Sequence, residues 1–359
     1  MPVCAIVSFR LGLSDGVSVV ATAWEQALQS LGWSTTTVAG DGPVDHLVPG
    51  LAIGADAPPD QAAVDAALAG ADVVLVENLL TIPMNLPASR VVAEAIGGRP
   101  AVLHHHDPPW QRARFADITE LPVDDPAWLH VTINRLTQGE FEQRGLIAQT
   151  IYNGFDADPP TGERHGTRRR LGLDDDAVLV AHPVRAIARK NVPAAIGVAE
   201  HLGGTYWLPG PAEEGYGDEL AHHLDRARCP ISRQPVDQTE ITMPDLYAAA
   251  DVIAFPSTWE GFGNPPVEAA HHRRPVVIGD YPVAEELRRM GFGWYGTDEL
   301  DALARGLADP DGDRTGPAGH RSLAAAVEAN RAVAARELSL ERMTAEIGVL
   351  FDKLAGSSR

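Results

Sequence analysis

The sequence predicts an α/β protein with two doubly wound domains, each built on a central parallel sheet. Apolar segments of strand length alternate with segments of helical spacing, which is the pattern of a parallel sheet covered by helices. The 359 residues exceed the usual size of one hydrophobic core and suit two. A hydrophobic content of 45% with 34 glycines and 28 prolines is typical of a globular protein with many turns.

The first domain is predicted to cover residues 1–157. Its strands are predicted at 3–9, 71–77 and 100–105, and its helices at 17–31 and 89–96. An Asn153-Gly154 turn then leads into a polar, proline-containing linker at 158–162. Such a turn followed by a polar segment predicts a domain boundary.

The second domain is predicted to cover residues 163–338. Its strands are predicted at 177–182, 250–255 and 275–280, and its helices at 167–171, 266–272, 284–287 and 323–335. An amphipathic helix over 339–354 follows, with apolar residues spaced along one face. The alternation predicts a second parallel sheet.

Charge and composition favour a cytoplasmic protein. The formal net charge of −20 disfavours nucleic acid or anionic lipid as a partner. Residues 1–155 contain no basic amphipathic helix, so no stable membrane association is expected. The N-terminus lacks the basic region of a signal peptide, and no apolar stretch reaches membrane-spanning length. The two cysteines, Cys4 and Cys229, are interpreted as structural thiols.

Residues 256–270 contain two acids, Glu260 and Glu268, across a turn rich in glycine and proline. The turn connects a predicted buried strand to a predicted helix, and open α/β sheets bind ligands at such connections. Gly261 and Gly263 let the main chain approach a ligand, and N–H groups at a helix start face its oxygens. Ionised carboxylates accept hydrogen bonds from sugar hydroxyls. For the isolated pair, a turn with two solvated acids is an equal alternative.

Arg185 and Lys190 form a second candidate pair, in a loop that precedes a predicted helix. The chain has only two lysines, Lys190 and Lys353, so Lys190 is unusual in an arginine-rich sequence. A guanidinium and an ammonium in one loop could stabilise a diphosphate leaving group. Arg189 could replace Arg185 in a shifted register, and a structural role is the alternative.

The segment 256–268 resembles the Glu-x7-Glu signature of retaining, metal-independent glycosyltransferases of family 4. The shared positions are Pro256, Ser257, Glu260, Gly261, Phe262, Gly263, Pro265 and Glu268. The resemblance implies the GT-B architecture, with two facing Rossmann-like domains, an active site in the cleft between them, and the terminal helix 339–359 packed back on the first domain. It also implies that Glu260 lies near the donor sugar hydroxyls and Glu268 near the ribose.

Three further segments resemble motifs of the same family. Residues 151–156 resemble its crossover motif, and Arg185 with Lys190 matches its Arg-x4-Lys pair. The loop 10–16 resembles its N-terminal glycine loop, which implies donor contacts for Gly12 and Gly16, although a plain turn is an equal alternative. The donor-binding set is completed by Gly261, Phe262, Gly263 and Asn264, and loop N–H groups around Gly263 and Asn264 would hold the sugar.

Three consecutive histidines end the strand predicted at 100–105. Adjacent residues on an extended chain point to opposite faces, so no metal site is predicted there. By the resemblance, His106 would hydrogen-bond the transferred sugar, and His105 is the alternative if the register differs by one residue.

Trp110, Arg112 and Arg114 follow the histidines on a predicted loop. An aromatic face with two guanidiniums would suit a soluble polyhydroxyl acceptor, including an acidic one. A solvated surface loop is the alternative, and the one that the sequence favours slightly.

The sequence departs from the family pattern at Val184, at Arg273 and in the segment 229–236, where the family usually has glycine. These departures leave the nucleotide base open between uracil and guanine. The expected function is therefore retaining transfer of a hexose from a UDP- or GDP-sugar to a soluble acceptor, without metal or cofactor. A sugar-nucleotide epimerase and a non-catalytic sugar-nucleotide-binding protein are the alternatives.

Overall fold

The protein is described by a computed structural model that covers residues 1–13, 15–237 and 239–357. It divides into two compact units. The first contains residues 1–154 together with the chain from Leu340 onward, and the second contains 155–339. Ser14, in the loop predicted at 10–16, and residues 358–359 of the predicted terminal helix lie outside the described residues.

The first unit is built on a seven-stranded sheet. Its strands are β1 (Val3–Ser8), β2 (Ser34–Ala39), β3 (His46–Leu47), β4 (Val73–Glu77), β5 (Ala101–His105), β6 (Trp128–Thr132) and β7 (Ala148–Thr150). Its helices before residue 154 are α1 (Gly16–Ser30), α2 (Gln61–Leu68), α3 (Leu86–Ile96) and α4 (Arg135–Glu142). The strand order is β3-β2-β1-β4-β5-β6-β7, and all pairs are parallel. The order reverses between β1 and β4, where open α/β sheets bind ligands at the carboxyl edge.

The second unit is built on a five-stranded sheet. Its strands are β8 (Leu179–Ala181), β9 (Thr205–Trp207), β10 (Ile231–Ser232), β11 (Val252–Phe255) and β12 (Val276–Ile278). Its helices are α5 (Arg164–Arg170), α6 (Val192–His201), α7 (Gly217–Arg226), α8 (Met243–Ala249), α9 (Asn264–His271), α10 (Pro282–Arg289), α11 (Leu300–Ala308) and α12 (Leu323–Glu337). The strand order is β10-β9-β8-β11-β12, again with parallel pairs, and it reverses between β8 and β11.

The last helix, α13 (Leu340–Ser357), returns to the first unit. Its apolar face, which includes Ile347 and Phe351, shares one buried cluster with Trp24 and Leu28 of α1. The α1 helix begins where the Asp15 carboxylate accepts hydrogen bonds from the N–H groups of Val17 and Ser18, an N-terminal cap. The helical spacing read from the sequence therefore corresponds to a buried face in both helices.

The predicted fold class is confirmed, because both units contain a parallel sheet covered by helices. Several bounds differ: the strand predicted at 177–182 is β8, with three residues, and the helix predicted at 284–287 is α10, with eight. Both cysteines are free, and Cys4 is buried. Among the described residues, no helix is both long and apolar enough to cross a membrane.

Candidate functional site

The loop between β11 and α9 requires glycine at position 263. Gly263 has φ of 97°, a left-handed conformation, and a Cβ placed there would lie 2.5 Å from the Tyr281 hydroxyl. Helix α9 begins at the next residue, Asn264, with Pro265 in its first turn. The N–H groups at this helix start can bind an anionic or hydroxyl oxygen, as the glycine and proline pattern predicts.

Glu260 is a buried carboxylate held between two cations. Arg189 Nη1 donates to Glu260 Oε2 at 2.5 Å, and Lys190 Nζ donates to Oε1 at 2.6 Å. Burial alone would raise the pKa of Glu260, but the charges of Lys190 and Arg189 outweigh it and hold the pKa below its ordinary value. We call these three residues the Glu260 cluster. Its carboxylate is ionised and acts only as an acceptor.

Burial destabilises the charged form of Lys190. Burial lowers its pKa from 10.5 to about 8, and repulsion from Arg189 and Arg185 adds to this effect against the attraction of Glu260. Because the ammonium is poorly solvated, an additional anion at this position would favour its charged form. The cluster is therefore suited to binding a negatively charged group.

Arg189 ties the β8–α6 loop to the β11–α9 loop. Besides Glu260, its guanidinium donates to the carbonyl of Trp259 at 3.0 Å, and its own carbonyl accepts from the Thr258 N–H at 2.9 Å. The two loops lie side by side because β8 and β11 are neighbours at the point where the strand order reverses. The sequence offered Arg189 only as an alternative to Arg185, and its contact with Glu260 was missed.

Arg185 makes a separate ion pair. Its guanidinium donates to Glu213 Oε2 at 2.5 Å, with 38% and 39% of the two side chains exposed. Arg185 is thus the accessible cation beside the cluster, whereas Lys190 is engaged by Glu260. Their joint binding of a diphosphate stays a prediction.

Glu268 and Phe262 each contact a residue outside the Glu260 cluster. The Tyr247 hydroxyl donates to Glu268 Oε2 at 2.5 Å. Burial raises the pKa of Glu268, an effect that the Tyr247 hydrogen bond partly offsets. The buried Phe262 ring stacks on Phe155 at 6.1 Å between centroids. Phe262 is therefore a packing residue through its ring, and the ribose contact of Glu268 stays a prediction.

In the first unit, a second buried carboxylate lies at the carboxyl edge of the sheet. Glu77, the last residue of β4, is paired in register with His104 of β5. Glu77 accepts from His104 Nδ1 at 3.0 Å and from His106 Nε2 at 2.9 Å. All three side chains are buried. We call these residues the Glu77 cluster.

Burial would raise the pKa of Glu77, but the two imidazoles overcome this effect and lower it to about 2. The same three residues offer ligand atoms that lie within 4.8 Å of one another, so they could hold a metal ion. The sequence argument against a metal considered adjacent histidines only. His104 and His106 are two residues apart and share a face, and Glu77 comes from the neighbouring strand.

His105 points to the opposite face. Its Nδ1 shares a hydrogen bond of 2.7 Å with Thr81 Oγ1, and its Nε2 shares one of 2.9 Å with His130 Nδ1. The side chain is fully buried. Both ring nitrogens of His105 are thus occupied, whereas His106 Nδ1 has no hydrogen-bond partner among the described residues. The geometry favours His106 over His105 for a ligand contact.

Asn78 holds the main chain of the histidine segment. It adopts φ of 59°, uncommon for a residue other than glycine, and its Oδ1 accepts from the N–H groups of His106 at 3.1 Å and Asp107 at 3.2 Å. Sequence reasoning missed both Glu77 and Asn78. The available signal was a polar pair directly after the apolar run 73–76, at a strand end.

The two glycines of the first loop differ in what they require. Gly12 has φ of 73°, and a Cβ there would lie 2.8 Å from Pro43, so this turn needs glycine. Gly16 begins α1 and has nothing within 4 Å of a Cβ position. The predicted donor contacts of both stay predictions.

The three predicted acceptor residues have different contacts within the protein. Trp110 Nε1 donates to Glu140 at 2.7 Å, and the Arg144 guanidinium lies 3.8 Å from its ring centroid. Arg112 pairs with Asp107, and the Arg114 guanidinium lies 4.6 Å over the Phe115 ring. These contacts account for the three side chains within the protein, and their acceptor role stays a prediction.

Comparisons with known proteins support a glycosyltransferase. Residues 214–309 match the family described as glycosyl transferases group 1. Mannosylglucosylglycerate synthase of Petrotoga mobilis is 25% identical, over 80% of this chain and 84% of the relative.

Solved structures share the fold. HepE of Anabaena, solved with UDP-glucose, has a TM-score of 0.71 at 20% identity, covering 98% of this chain and 99% of that one. Sucrose-phosphate synthase of Thermosynechococcus elongatus has a TM-score of 0.74 at 15% identity, covering 99% of this chain and 100% of that one. The two parallel-sheet units and these similarities are consistent with a GT-B fold.

We expect Gly263→Ala to destabilise the second unit and to disturb the loop that carries Glu260. The new Cβ would meet the Tyr281 hydroxyl, and the backbone conformation strains any residue with a side chain, at about 1–3 kcal/mol. Thermal unfolding measures the effect. Gly16→Ala is the matched control, since it adds a methyl group where nothing lies nearby and should leave the melting temperature unchanged or raised. Equal melting temperatures for Gly263→Ala and wild type would contradict the steric argument.

Proposed function

We propose that the protein is a retaining hexosyltransferase that uses a UDP- or GDP-sugar donor and a hydroxyl of a soluble small molecule as acceptor. The Glu260 cluster carries the proposal. It combines an ionised carboxylate, a lysine with a lowered pKa and the start of helix α9 in one pair of adjacent loops. A sugar diphosphate offers the complementary groups, hydroxyls for the carboxylate and charge for the cations.

The similar proteins agree with this donor class. HepE of Anabaena binds UDP-glucose in its crystal structure, and the Petrotoga relative is named for the synthesis of a mannosylglucosylglycerate. These names support a nucleotide-sugar donor and a small acceptor. The base and the hexose stay open.

In the proposed reaction, the bond between the anomeric carbon and the diphosphate oxygen breaks. Arg185 and Lys190 stabilise the negative charge that develops on the departing diphosphate. The acceptor oxygen bonds to the anomeric carbon on the same face, and its proton passes to the leaving diphosphate. Glu260 and His106 orient sugar hydroxyls, and no metal takes part.

The ion pairs indicate how the free cluster is stabilised. With no diphosphate bound, Glu260 neutralises Lys190, so that the buried ammonium is compensated. Arg189 binds the other carboxylate oxygen and keeps Glu260 ionised and oriented when Lys190 turns to a phosphate. We therefore propose that Lys190 binds the diphosphate of the donor and that Arg189 holds Glu260 and its loop in place.

Two alternatives are separable by their products. A sugar-nucleotide epimerase would release an altered sugar nucleotide without an acceptor, whereas a transferase forms a new glycoside only when an acceptor is present. A non-catalytic binding protein would form no product. The anomeric configuration of the product, read by NMR, distinguishes retention from inversion.

We expect nucleotides of one class to raise the melting temperature of the protein. A ligand that binds only the folded state stabilises it in proportion to the logarithm of its concentration over Kd. The measurement is a thermal-shift series with UDP, GDP, their hexose conjugates, and the corresponding nucleosides as controls that lack the diphosphate. A series in which no nucleoside diphosphate exceeds its nucleoside would refute the assignment of the diphosphate site.

Lys190→Ala and Arg185→Ala should each reduce kcat about 100- to 1,000-fold, the usual effect of removing one charge-stabilising donor from a transition state. Lys353→Ala removes the other lysine of the chain, on the exposed side of α13, and is the matched control. Circular dichroism checks that each variant is folded. Wild-type turnover in both Arg185→Ala and Lys190→Ala would rule out their role.

The donor kcat/KM should fall as the pH rises through about 8, because Lys190 in the free enzyme loses its proton there. The sign follows from the lowered pKa: the charged, phosphate-binding form exists below about 8 and disappears above it. Lys190→Arg, whose guanidinium stays charged, should have lower activity but no such decline. An unchanged alkaline decline in Lys190→Arg would assign that titration to another group.

A further inference from the structure

We propose that Glu77 is a positioning residue, which binds the Nε2–H of His106 and so presents Nδ1 of the same ring as a hydrogen-bond acceptor for a substrate hydroxyl. Identifying that hydroxyl as part of a sugar rests on the function proposed above. The arrangement itself is a property of the free protein and can be tested without substrate.

The tautomer follows from the chemistry of the carboxylate. The Glu77 side chain lies between two imidazole nitrogens, and an ionised carboxylate can only accept hydrogen bonds. Both nitrogens that face it, His104 Nδ1 at 3.0 Å and His106 Nε2 at 2.9 Å, must therefore carry the protons. In the neutral form of the ring, which the proposal assigns to His106, the other nitrogen, Nδ1, is unprotonated.

His104 donates the second hydrogen bond to the Glu77 carboxylate and is too deeply buried to contact a ligand. Its ring packs against Trp24 at 4.4 Å between centroids, and it is fully buried. Its Nε2 is buried without a hydrogen-bond partner among the described residues. Of the two rings bound to Glu77, only His106 keeps some exposure, 6% of its side chain. The Glu77 cluster thus leaves one imidazole nitrogen for an external partner.

Asn78, which directly follows Glu77 at the end of β4, holds the main chain of His106. The Asn78 Oδ1 accepts from the N–H groups of His106 and Asp107, at 3.1 and 3.2 Å. Asn78 has a left-handed backbone conformation, which surrounding contacts must maintain. Adjacent residues 77 and 78 therefore hold the ring and the backbone of His106 respectively. Such double support is expected of a group that must be presented in one orientation.

Hydrogen bonds and a bound metal ion are two different accounts of the Glu77 cluster. The carboxylate already satisfies both imidazole N–H groups at ordinary hydrogen-bond distances. A metal would require the same two nitrogens to lose their protons and coordinate through lone pairs. Metal content is therefore a direct alternative outcome of the test.

The carboxylate also strengthens the acceptor. An ionised carboxylate bound to one imidazole nitrogen orients the ring and increases the basicity of the other nitrogen. His106 Nδ1 thereby becomes a better acceptor for a hydroxyl, with no proton transferred in the ground state. Glu77→Gln removes this effect, because an amide has one acceptor oxygen and presents N–H groups on its other side. The amide N–H groups then face at least one imidazole N–H, and that contact is weakened.

The first measurement is the tautomer of His106 in the free wild-type protein, by long-range ¹H–¹⁵N NMR of ¹⁵N-histidine-labelled protein near neutral pH. The His106 signals are assigned by their loss in His106→Gln. We expect a protonated Nε2 and an unprotonated Nδ1. A protonated Nδ1, or stoichiometric metal in the purified protein by mass spectrometry, would overturn the proposal.

The second measurement compares Glu77→Gln with Asp124→Asn in the full-length protein. Asp124 makes the same kind of contact, at 3.0 Å to His130 Nε2, on the other face of the sheet, and is the matched carboxylate-to-amide control. We expect Glu77→Gln to lower kcat about 10- to 100-fold, the usual effect of removing such a supporting contact, while Asp124→Asn keeps wild-type turnover.

The two failures are distinguishable. If wild-type protein transfers no sugar from any UDP- or GDP-hexose, the proposed function fails, and the tautomer alone decides the role of Glu77. If wild type is active and folded Glu77→Gln retains full turnover, the positioning role is wrong and the proposed function stands. If Glu77→Gln does not fold, the wild-type tautomer and metal content still decide.

Discussion

Parallel pairing of neighbouring strands is the constraint on which both clusters depend. Parallel strands end at the same edge of a sheet, so residues far apart in sequence meet where their strands stop. In the first unit this pairing sets Glu77 beside His104. In the second it sets the loop after β8 beside the loop after β11, and Arg189 and Lys190 reach Glu260. In each cluster, the strand order brings the residues together, and their side-chain chemistry then determines the contacts that they make.

Each unit contains a buried, ionised glutamate, and different partners offset the cost of its desolvation in the two units. An uncompensated buried charge costs several kcal/mol, so partners must be present in the free protein. Glu260 has two full cations, which makes a cluster that can exchange one partner for a bound anion. Glu77 has two imidazole N–H donors, which make a buried hydrogen-bonded group. The first arrangement suits the binding of charge, and the second suits the orientation of a ring.

Much of the fold could be predicted from the sequence, because periodicity and glycine are local signals. The apolar runs predicted strands at 71–77 and 250–255, and these are β4 and β11 with shorter bounds. Other elements were missed. The strand Ser34–Ala39 has no apolar run, although its threonines favour extended structure, and it pairs with β1 along its whole length. The apolar pattern alone gave no signal at that position.

The candidate site likewise has features that are local in sequence and features that depend on the tertiary structure. The sequence by itself determined the glycine turn at 263, the start of α9 and the presence of Glu260, Lys190 and His106, because these are written into contiguous segments. Only the tertiary structure decided that Arg189 shares Glu260 with Lys190, that His105 is fully engaged, and that Glu77 and Asn78 support His106. The physical reason is that hydrogen bonds and ion pairs depend on distances of about 3 Å. Such distances between separate strands are set by the register of the sheet and by the packing of its loops.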